Sequence, residues 1–193
     1  MEQKTFALKG NIIYTKERTR FEVMEQGWLV CEEGRVRDVY SVLPEELKGI
    51  PVEDMEDRLI IPGLTDLHIH APQYTFRSLG MDMELLEWLE TNTFPEESKY
   101  KDAEYAKKAY EMFAEQLKKS ATVRACIFGT IHNEATLILM DLLEEAGLHT
   151  MVGKVNMDRN SPDYLCEPSA EASAQATREW LKAVADRKYK HTR

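Results

Sequence analysis

The sequence predicts an α/β protein in which a small N-terminal β-sandwich segment, residues 1–60, precedes an incomplete (β/α)8 barrel of the TIM type, residues 61–193. Two observations indicate this fold class. Residues 5–60 have the composition of strands and turns. From residue 62, short apolar runs alternate with segments of helical periodicity, the order typical of a parallel sheet or barrel. This second part holds about three strand–helix units, against eight in a complete barrel of typically about 250 residues, so we expect the remaining strands downstream of Arg193.

The first part is predicted to be a small sheet. The strand candidates are Thr5–Tyr14, Phe21–Val23, and a hairpin of Gly27–Cys31 with Val36–Tyr40 that turns at Gly34. A helical turn over Pro44–Gly49 follows, with its glycine as the stop signal. Because large apolar residues are few here, we expect this sheet to need a partner that completes its core.

The second part opens with an apolar run, Arg58–Ile61, that leads into the first barrel strand with its two histidines. A helix is predicted over Met83–Glu90, and Phe94-Pro95 is expected to end that segment. The remaining predicted elements are a helix over Asp102–Lys119, a strand over Thr122–Phe128, a helix over Glu134–Ala146, a strand over His149–Val155, a loop at Asn160–Asp163 and a helix over Ser169–Asp186.

Composition excludes several classes of function. The formal net charge of −9 argues against a nucleic-acid partner, since phosphates require basic patches. No apolar run approaches the roughly 20 residues of a membrane helix, and Met1–Lys4 lacks the apolar core of a signal peptide. The three cysteines, Cys31, Cys126 and Cys166, are odd in number and widely spaced, which favours reduced thiols and a cytoplasmic location.

His68 and His70 are the candidate metal ligands. Side chains of a strand alternate between its faces, so both imidazoles are expected on one side, where they can converge on one ion. Leu67 and Ile69 are then expected to pack on the opposite side, and Asp66 to orient an imidazole or to hold the strand end.

A lone His-x-His is more often a pair of satisfied polar residues. Its flanks change that balance here, because Pro62-Gly63 before the strand and Ala71-Pro72-Gln73 after it describe a buried strand that ends abruptly in a loop. Barrel enzymes keep their chemistry at such strand ends. The context therefore favours a metal role.

The histidine strand also carries a family resemblance. Pro62-Gly63-Leu64-x-Asp66-x-His68-x-His70 resembles the first-strand signature of the amidohydrolase superfamily. Four segments together resemble its guanine deaminase branch: His68–Tyr74, Leu85–Leu89 with Thr93–Glu97, Phe128–His132, and Gly153–Pro162 with its Met-Asp-x-Asn-x-Pro. Ser120-Ala121 departs from the Gly-Thr pair that is common before the second strand, which affects the local turn only.

The resemblance implies zinc-dependent hydrolytic deamination of guanine, or a related aminopurine, to xanthine and ammonia. His68 and His70 would be the first-strand zinc ligands, with one zinc per chain in the complete enzyme, and Gln73 would hydrogen-bond the purine. The other ligands and the proton-shuttling residues are expected downstream of Arg193, so no catalytic residue is assigned within the chain. The resemblance also allows a homodimer.

Other residues have both a functional and a structural interpretation. Trp88 and Phe94 could wall the pocket, although Trp88 at helical spacing could equally belong to the core. His132 is the best local candidate for a third ligand, but the family takes that ligand later, which favours a residue that orders the loop. Lys154 could bridge two metals, yet a paired or solvated lysine is favoured.

Asp158 and Asn160 are expected to hold their loop by side-chain hydrogen bonds to the backbone rather than to touch substrate. Several functional alternatives stay open. The chain could be a non-catalytic fragment, or part of another amidohydrolase that acts on a cyclic C–N bond. A histidine pair would also accept iron or nickel. The absence of Cys-x-x-Cys excludes the cytidine-deaminase type of zinc site.

Overall fold

The computed structural model describes residues 5–193. The chain divides between Pro62 and Gly63 into two compact units. Each unit has its own sheet and its own hydrophobic core. The two units are therefore taken one at a time.

The first unit is a four-stranded mixed sheet. Its strands are β1 (Thr5–Glu17), β2 (Arg20–Glu32), β3 (Arg35–Tyr40) and β4 (Val52–Ile60), in the order β3-β2-β1-β4. The first three form antiparallel pairs, and β4 pairs parallel to β1. One face is covered by a short 3-10 helix, Glu45–Leu47, at the predicted helical turn. The small core consists of Ala7, Val30 and Leu47, packed by Trp28, Tyr40, Leu43 and Ile50.

Two sequence-based expectations for this unit are wrong. The two short strands predicted around residues 21–31 form one strand, β2, which continues past Gln26 because this residue takes a left-handed backbone conformation where the ladder shifts register. The apolar run Arg58–Ile61 does not lead into the histidine strand. Its first three residues end β4, where Ile60 pairs with Ile12 of β1.

The second unit alternates parallel strands and helices. Its strands are β5 (Leu64–His70), β6 (Thr122–Phe128) and β7 (His149–Gly153), paired in the order β5-β6-β7. The order in space follows the order in sequence, as it does in the wall of a barrel. A doubly wound sheet would reverse its order at one point. The architecture is a mixed α/β fold consistent with part of a barrel.

The helices cover one face of this sheet. They are α3 (Ala103–Lys118), α4 (Asn133–Glu145) and α5 (Ala170–Arg187), close to their predicted bounds. The core between helices and sheet includes Ala109, Tyr110, Phe113, Leu117, Ala125, Ile127, Leu139, Leu143, Val152 and Trp180. Asp102 caps α3 by accepting from two backbone N–H groups of its first turn, as acidic N-caps do.

The segment between β5 and α3 is more helical than predicted. It contains a 3-10 helix (Ala71–Phe76), α1 (Leu85–Trp88), a π-helical turn (Leu89–Thr93), α2 (Phe94–Ser98) and a 3-10 turn (Lys99–Lys101). The expectation that Phe94-Pro95 ends the helical segment is wrong, because α2, which includes both residues, follows the π-helical turn without a break.

The residues after α5 return to the sheet. Thr192 forms an isolated parallel bridge with Thr150, so residues 191–193 lie beside β7 at the edge of the sheet. The Val152 N–H donates to the Arg193 carbonyl at 2.8 Å, and the Arg193 N–H donates to the Thr150 carbonyl at 2.9 Å. The carboxylate of Glu144 in α4 accepts from the backbone N–H groups of Lys190, His191 and Thr192 at 2.8–2.9 Å.

None of the helices in the described part of the chain combines the length and apolar character needed to traverse a lipid bilayer.

Candidate metal centre

A β-bulge at Leu67 and His68 includes the first histidine of the pair. Asp66 pairs with Ala125 and Ile69 pairs with Ile127, so Leu67 and His68 together oppose the single residue Cys126. The expectation that Leu67 packs beside Ile69 is wrong: Ile69 packs against the core, whereas Leu67 is 76% exposed. The extra residue breaks the alternation of faces, which is how bulges re-aim side chains next to functional sites.

The two imidazoles converge at the carboxyl end of β5. The Nε2 atoms of His68 and His70 are 3.0 Å apart, and the ring centroids are 5.0 Å apart. Phe128, at the end of β6, supports both rings. It stacks on His70 at a centroid distance of 4.8 Å with an interplanar angle of 16°, and lies 4.7 Å from His68. The pair therefore rests on an aromatic platform from the neighbouring strand.

The electrostatic surroundings favour neutral imidazole at His70. Burial lowers the pKa of His70, and the nearby His68 lowers it further. A neutral ring keeps a nitrogen lone pair available for a metal or for a hydrogen bond from His68. Asp66 Oδ1 accepts from the backbone N–H of His68 at 3.0 Å, so this carboxylate holds the strand end and not an imidazole ring.

The geometry of the pair fits one shared metal ion. Two nitrogen ligands at about 2.0–2.1 Å from one tetrahedral ion lie roughly 3.3 Å apart, close to the observed 3.0 Å. Within residues 5–193, however, no group of three or more His, Cys, Asp and Glu side chains is placed to hold a metal. The described residues thus supply a pair of nitrogens and not a complete ligand set.

Gln73 lies directly beyond the pair, in the 3-10 helix Ala71–Phe76, and is half-buried. Two side-chain hydrogen bonds anchor this helix. The buried Tyr100 hydroxyl donates to the Pro72 carbonyl at 3.2 Å, and Thr75 Oγ1 donates to the Glu96 carboxylate at 2.7 Å. Glu96 also accepts from Tyr105 and Lys99. These hydrogen bonds anchor the loop that presents Gln73.

Trp88 packs locally. Its indole Nε1 donates to the Leu79 carbonyl at 3.0 Å, and its ring lies 5.6 Å from that of Phe76. Gly80 makes this packing possible, because a Cβ there would lie 2.8 Å from Trp88 Cδ1. Phe94 is half-buried in the first turn of α2. Trp88 thus supports the segment after β5.

His132 is the N-cap residue of α4, and the Thr136 hydroxyl donates to its carbonyl at 3.0 Å. Its ring Nε2 is buried without a hydrogen-bond partner in the described structure. Burial lowers the pKa of His132, and Lys101 and Lys154 lower it further, although Glu167 opposes them. The structure does not bring His132 into a metal-binding group with the histidine pair.

Lys154 forms a buried ion pair with Glu167, a partner that sequence reasoning did not identify. Its Nζ lies 2.7 Å from Glu167 Oε1 and also donates to the Val155 carbonyl. Glu167 Oε2 accepts from Ser173 Oγ at 2.7 Å and from the Met157 N–H at 2.9 Å. Lys154 is therefore a paired lysine, as favoured above.

The loop after β7 is held by a residue that sequence reasoning passed over. The Asn156 amide donates to Ser173 and Thr177 of α5, whereas Asn160 contributes a left-handed backbone conformation with φ of 57°. The sequence offers no signal for Asn156, because its partners lie 17 and 21 residues away.

The parallel sheet in sequential order is consistent with part of a β/α barrel, and its first strand ends in the converging His68–His70 pair. The sequence profile of the amidohydrolase family matches residues 59–192, which is more than half of the chain. The chain belongs to the amidohydrolase family.

Its relatives include several guanine deaminases. The chain is 33% identical to guanine deaminase of Dictyostelium discoideum over 193 residues, which covers 91% of the chain and 43% of that protein. It is 35% identical to the Escherichia coli guanine deaminase over 164 residues, or 82% of the chain and 36% of that protein.

Among solved structures, guanine deaminase of C. acetobutylicum with guanine bound in the active site has a TM-score of 0.89 and 41% identity. The match covers 98% of the chain and 45% of that structure. The chain thus spans less than half the length of each of these relatives.

Proposed function

We propose that this chain supplies the first-strand metal ligands and part of the substrate pocket of an enzyme that hydrolyses guanine to xanthine and ammonia. The observation that carries the proposal is the 3.0 Å approach of the His68 and His70 Nε2 atoms at a strand end. Two imidazoles at this distance fit a zinc ion, and we expect one zinc per chain in the complete enzyme. The family membership and the similarity to a guanine-bound relative support the assignment.

The residues of the chain have distinct tasks in this proposal. His68 and His70 would hold the ion, and Phe128 would orient their rings by packing against both of them. When bound, zinc supplies Lewis acidity and lowers the pKa of a water molecule toward about 7. Gln73 would bind the purine, since its amide offers both a donor and an acceptor to a base edge. Phe94, and less directly Trp88, would border the pocket.

Guanine is the favoured substrate because the relatives at 30% identity or more named above are guanine deaminases. A related aminopurine or another cyclic C–N substrate is the alternative, since a protein named 5-methylthioadenosine/S-adenosylhomocysteine deaminase is 27% identical over 177 residues. The proposal places the enzyme in the cytoplasm, in keeping with the three free thiols.

A second candidate is that residues 1–193 alone are not catalytic. The absence of a three-ligand group among residues 5–193 favours this candidate. Hydrolytic deamination also needs a positioned proton-transfer group, which in this proposal comes from polypeptide other than the described residues. Both candidates assign His68 and His70 as metal ligands. They differ in whether residues 1–193 alone deaminate guanine.

The test measures zinc binding and ammonia release on the same chain. Zinc affinity is measured by competition with a chromophoric chelator for the wild type, His68→Ala, His70→Ala and the matched control His149→Ala, whose ring lies at the start of β7. We expect the first two variants to lose about tenfold or more in affinity, which is about 1.4 kcal/mol, and the control to match the wild type. Equal zinc binding by all four proteins would refute the metal pair.

The ammonia assay with guanine separates the candidates. Turnover that depends on both His68 and His70 would show that the chain alone is catalytic. Zinc binding without turnover would support a metal-binding chain whose catalytic groups lie elsewhere.

A further inference from the structure

The residues on either side of Gln73 are hydrogen-bonded to a connected set of side chains. Before Gln73, the Pro72 carbonyl accepts from the Tyr100 hydroxyl at 3.2 Å. After it, Thr75 Oγ1 donates to the Glu96 carboxylate at 2.7 Å. Gln73 therefore lies within a short stretch of backbone that is bonded at both of its ends.

Glu96 is the central acceptor of this set. Its side chain is only 12% exposed, and its carboxylate accepts from Lys99 at 2.6 Å and from the Tyr105 hydroxyl, as well as from Thr75. Burial alone would raise the pKa of Glu96, but these hydrogen bonds outweigh it, so the pKa lies below the ordinary value. Glu96 is therefore ionised near neutral pH, and a charged acceptor makes stronger hydrogen bonds than a neutral one.

Ring contacts join the two hydrogen bonds to each other and to the core. The Tyr105 ring lies edge-on to the Tyr100 ring, at a centroid distance of 5.3 Å and an interplanar angle of 89°. The Tyr100 ring, which is 1% exposed, lies 4.8 Å from the ring of Tyr110, a fully buried residue of α3. We call Thr75, Glu96, Tyr100 and Tyr105 the bracing network. It connects the stretch around Gln73 to the helix–sheet core.

The Gln73 side chain is left out of the bracing network. The hydrogen bonds described above are made by its neighbours, and none of them uses its amide. A glutamine that becomes ordered only when it binds a ligand loses conformational freedom, and this loss lowers affinity. A backbone that is already fixed reduces the loss, so the network prepares Gln73 for binding.

We propose that Glu96 is a positioning residue of the substrate pocket, which holds Thr75 so that the Gln73 amide meets the purine edge in one orientation. Tyr100 has the same task on the Pro72 side. The inference rests on the proposed function, in which Gln73 binds guanine. Glu96 acts through the backbone at Gln73 and does not itself touch the substrate.

The first measurement needs no activity. Backbone 15N relaxation reports the order parameter of Gln73, with Gln175 of α5 as the internal reference. Thr75→Val keeps the shape of the side chain and removes its hydroxyl, and Glu96→Leu removes the acceptor. We expect the Gln73 order parameter to fall from about 0.85, the rigid range, toward about 0.6 in both variants. That of Gln175 should not change.

Three further variants separate the hydrogen bond from a general effect of substitution. Thr75→Ser keeps the hydroxyl and should restore the wild-type order parameter at Gln73. Thr91→Val is the matched control, because Thr91 is an exposed threonine of the π-helical turn. Tyr100→Phe, which removes the hydrogen bond on the Pro72 side, takes the place of Glu96→Leu should the latter fail to fold.

The second measurement is the guanine affinity of the zinc-loaded chain, by equilibrium dialysis. Thr75→Val should weaken guanine binding about threefold to tenfold and leave zinc affinity unchanged. Adding Thr75→Val to Gln73→Ala should have no further effect, because the network acts only through Gln73. Where the chain turns guanine over, KM should rise by the same factor with kcat unchanged.

An unchanged Gln73 order parameter in Thr75→Val and Glu96→Leu would overturn the proposal. An equal loss of order at Gln175, or additive effects of Thr75→Val and Gln73→Ala on guanine affinity, would also overturn it, since the network would then be a general stabilising feature. A wild-type chain that binds zinc but no guanine would count against the proposed function. The order parameters would still decide whether Glu96 positions Gln73.

Discussion

The ammonium of Lys154 lies 2.7 Å from the carboxylate of Glu167, and their side chains are 0% and 9% exposed. Burial alone would raise the pKa of Glu167, but hydrogen bonds from Lys154, Ser173 and the Met157 N–H outweigh it, so its pKa lies below the ordinary value. Lys154 directly follows β7, and Glu167 lies two residues before Ser169, the N-cap residue of α5. The ion pair therefore fixes the loop between them.

Replacing Lys154 with Met should strongly destabilise the fold. The substitution leaves the Glu167 carboxylate buried without its partner, which typically costs about 3–5 kcal/mol. Urea unfolding at pH 7 measures this loss. The matched control is Lys107→Met, which removes an exposed ion pair with Glu111 at 3.9 Å and should change stability by less than about 0.5 kcal/mol. Similar losses in both variants would show that burial does not distinguish the two pairs.

Glu97 should make stability depend on pH. This side chain is 3% exposed, and burial raises its pKa to about 7. In the unfolded chain a glutamate titrates near about 4.3, so between these two values the folded state holds a proton that the unfolded state has lost. The contribution of Glu97 to the free energy of unfolding should therefore fall by roughly 3–4 kcal/mol as the pH rises through this window.

Glu97→Gln should remove that fall, so that the variant gains stability relative to the wild type at pH 8 and not at pH 4. Thermal unfolding across this range measures the effect. Glu87→Gln, at an exposed position of α1, is the control and should follow the wild-type curve. An unchanged pH dependence in Glu97→Gln would contradict the raised pKa.

Phe128 should matter for zinc binding through its stacking on the two imidazoles. Phe128→Leu keeps an apolar side chain but removes the flat surface that orients the rings, and residues that orient ligands typically affect metal affinity about tenfold or more. The same chelator competition measures this change. Val123→Ala, at a position of β6 that is 40% exposed, should bind zinc like the wild type. Unaltered zinc affinity in Phe128→Leu would mean that the strand alone orients the histidines.

Glu144 should anchor residues 190–192 to the sheet edge. Its carboxylate accepts from three successive backbone N–H groups, and hydrogen bonds to a charged acceptor contribute about 1.5–3 kcal/mol. Glu144→Gln should therefore speed hydrogen exchange of the Lys190, His191 and Thr192 amides by about tenfold or more. Glu145→Gln, on the exposed side of the same helix turn, should leave the exchange rates unchanged. Equal amide exchange rates in both variants would show that the pairing with β7 alone holds residues 190–192.

Local patterns were sufficient for much of the second unit. The stripe of Ala106, Tyr110 and Phe113 predicts α3, and the same residues are buried in the structure. Strand β6 runs over Thr122–Phe128 as predicted. The convergence of the His68 and His70 rings also follows from their spacing. These features depend on neighbours within a few positions along the chain.

Features that depend on distant partners could not be predicted. β4 carries five charged residues between Val52 and Leu59, a composition that does not indicate a strand, and it forms because β1 offers an edge for pairing. The partner of Lys154 lies 13 positions away, so no local pattern relates the two. The bulge at Leu67 and His68 exists only relative to β6, and it changes the face of Leu67 without altering the sequence motif.

The strand pairing of residues 191–193 has a practical consequence for protein production. Because Arg193 already exchanges backbone hydrogen bonds with β7, any residues attached to it begin their path inside a sheet edge. A purification tag or fluorescent fusion joined there without a spacer would compete with this pairing. A flexible glycine–serine spacer would let such a fusion leave the edge without pulling the strand away.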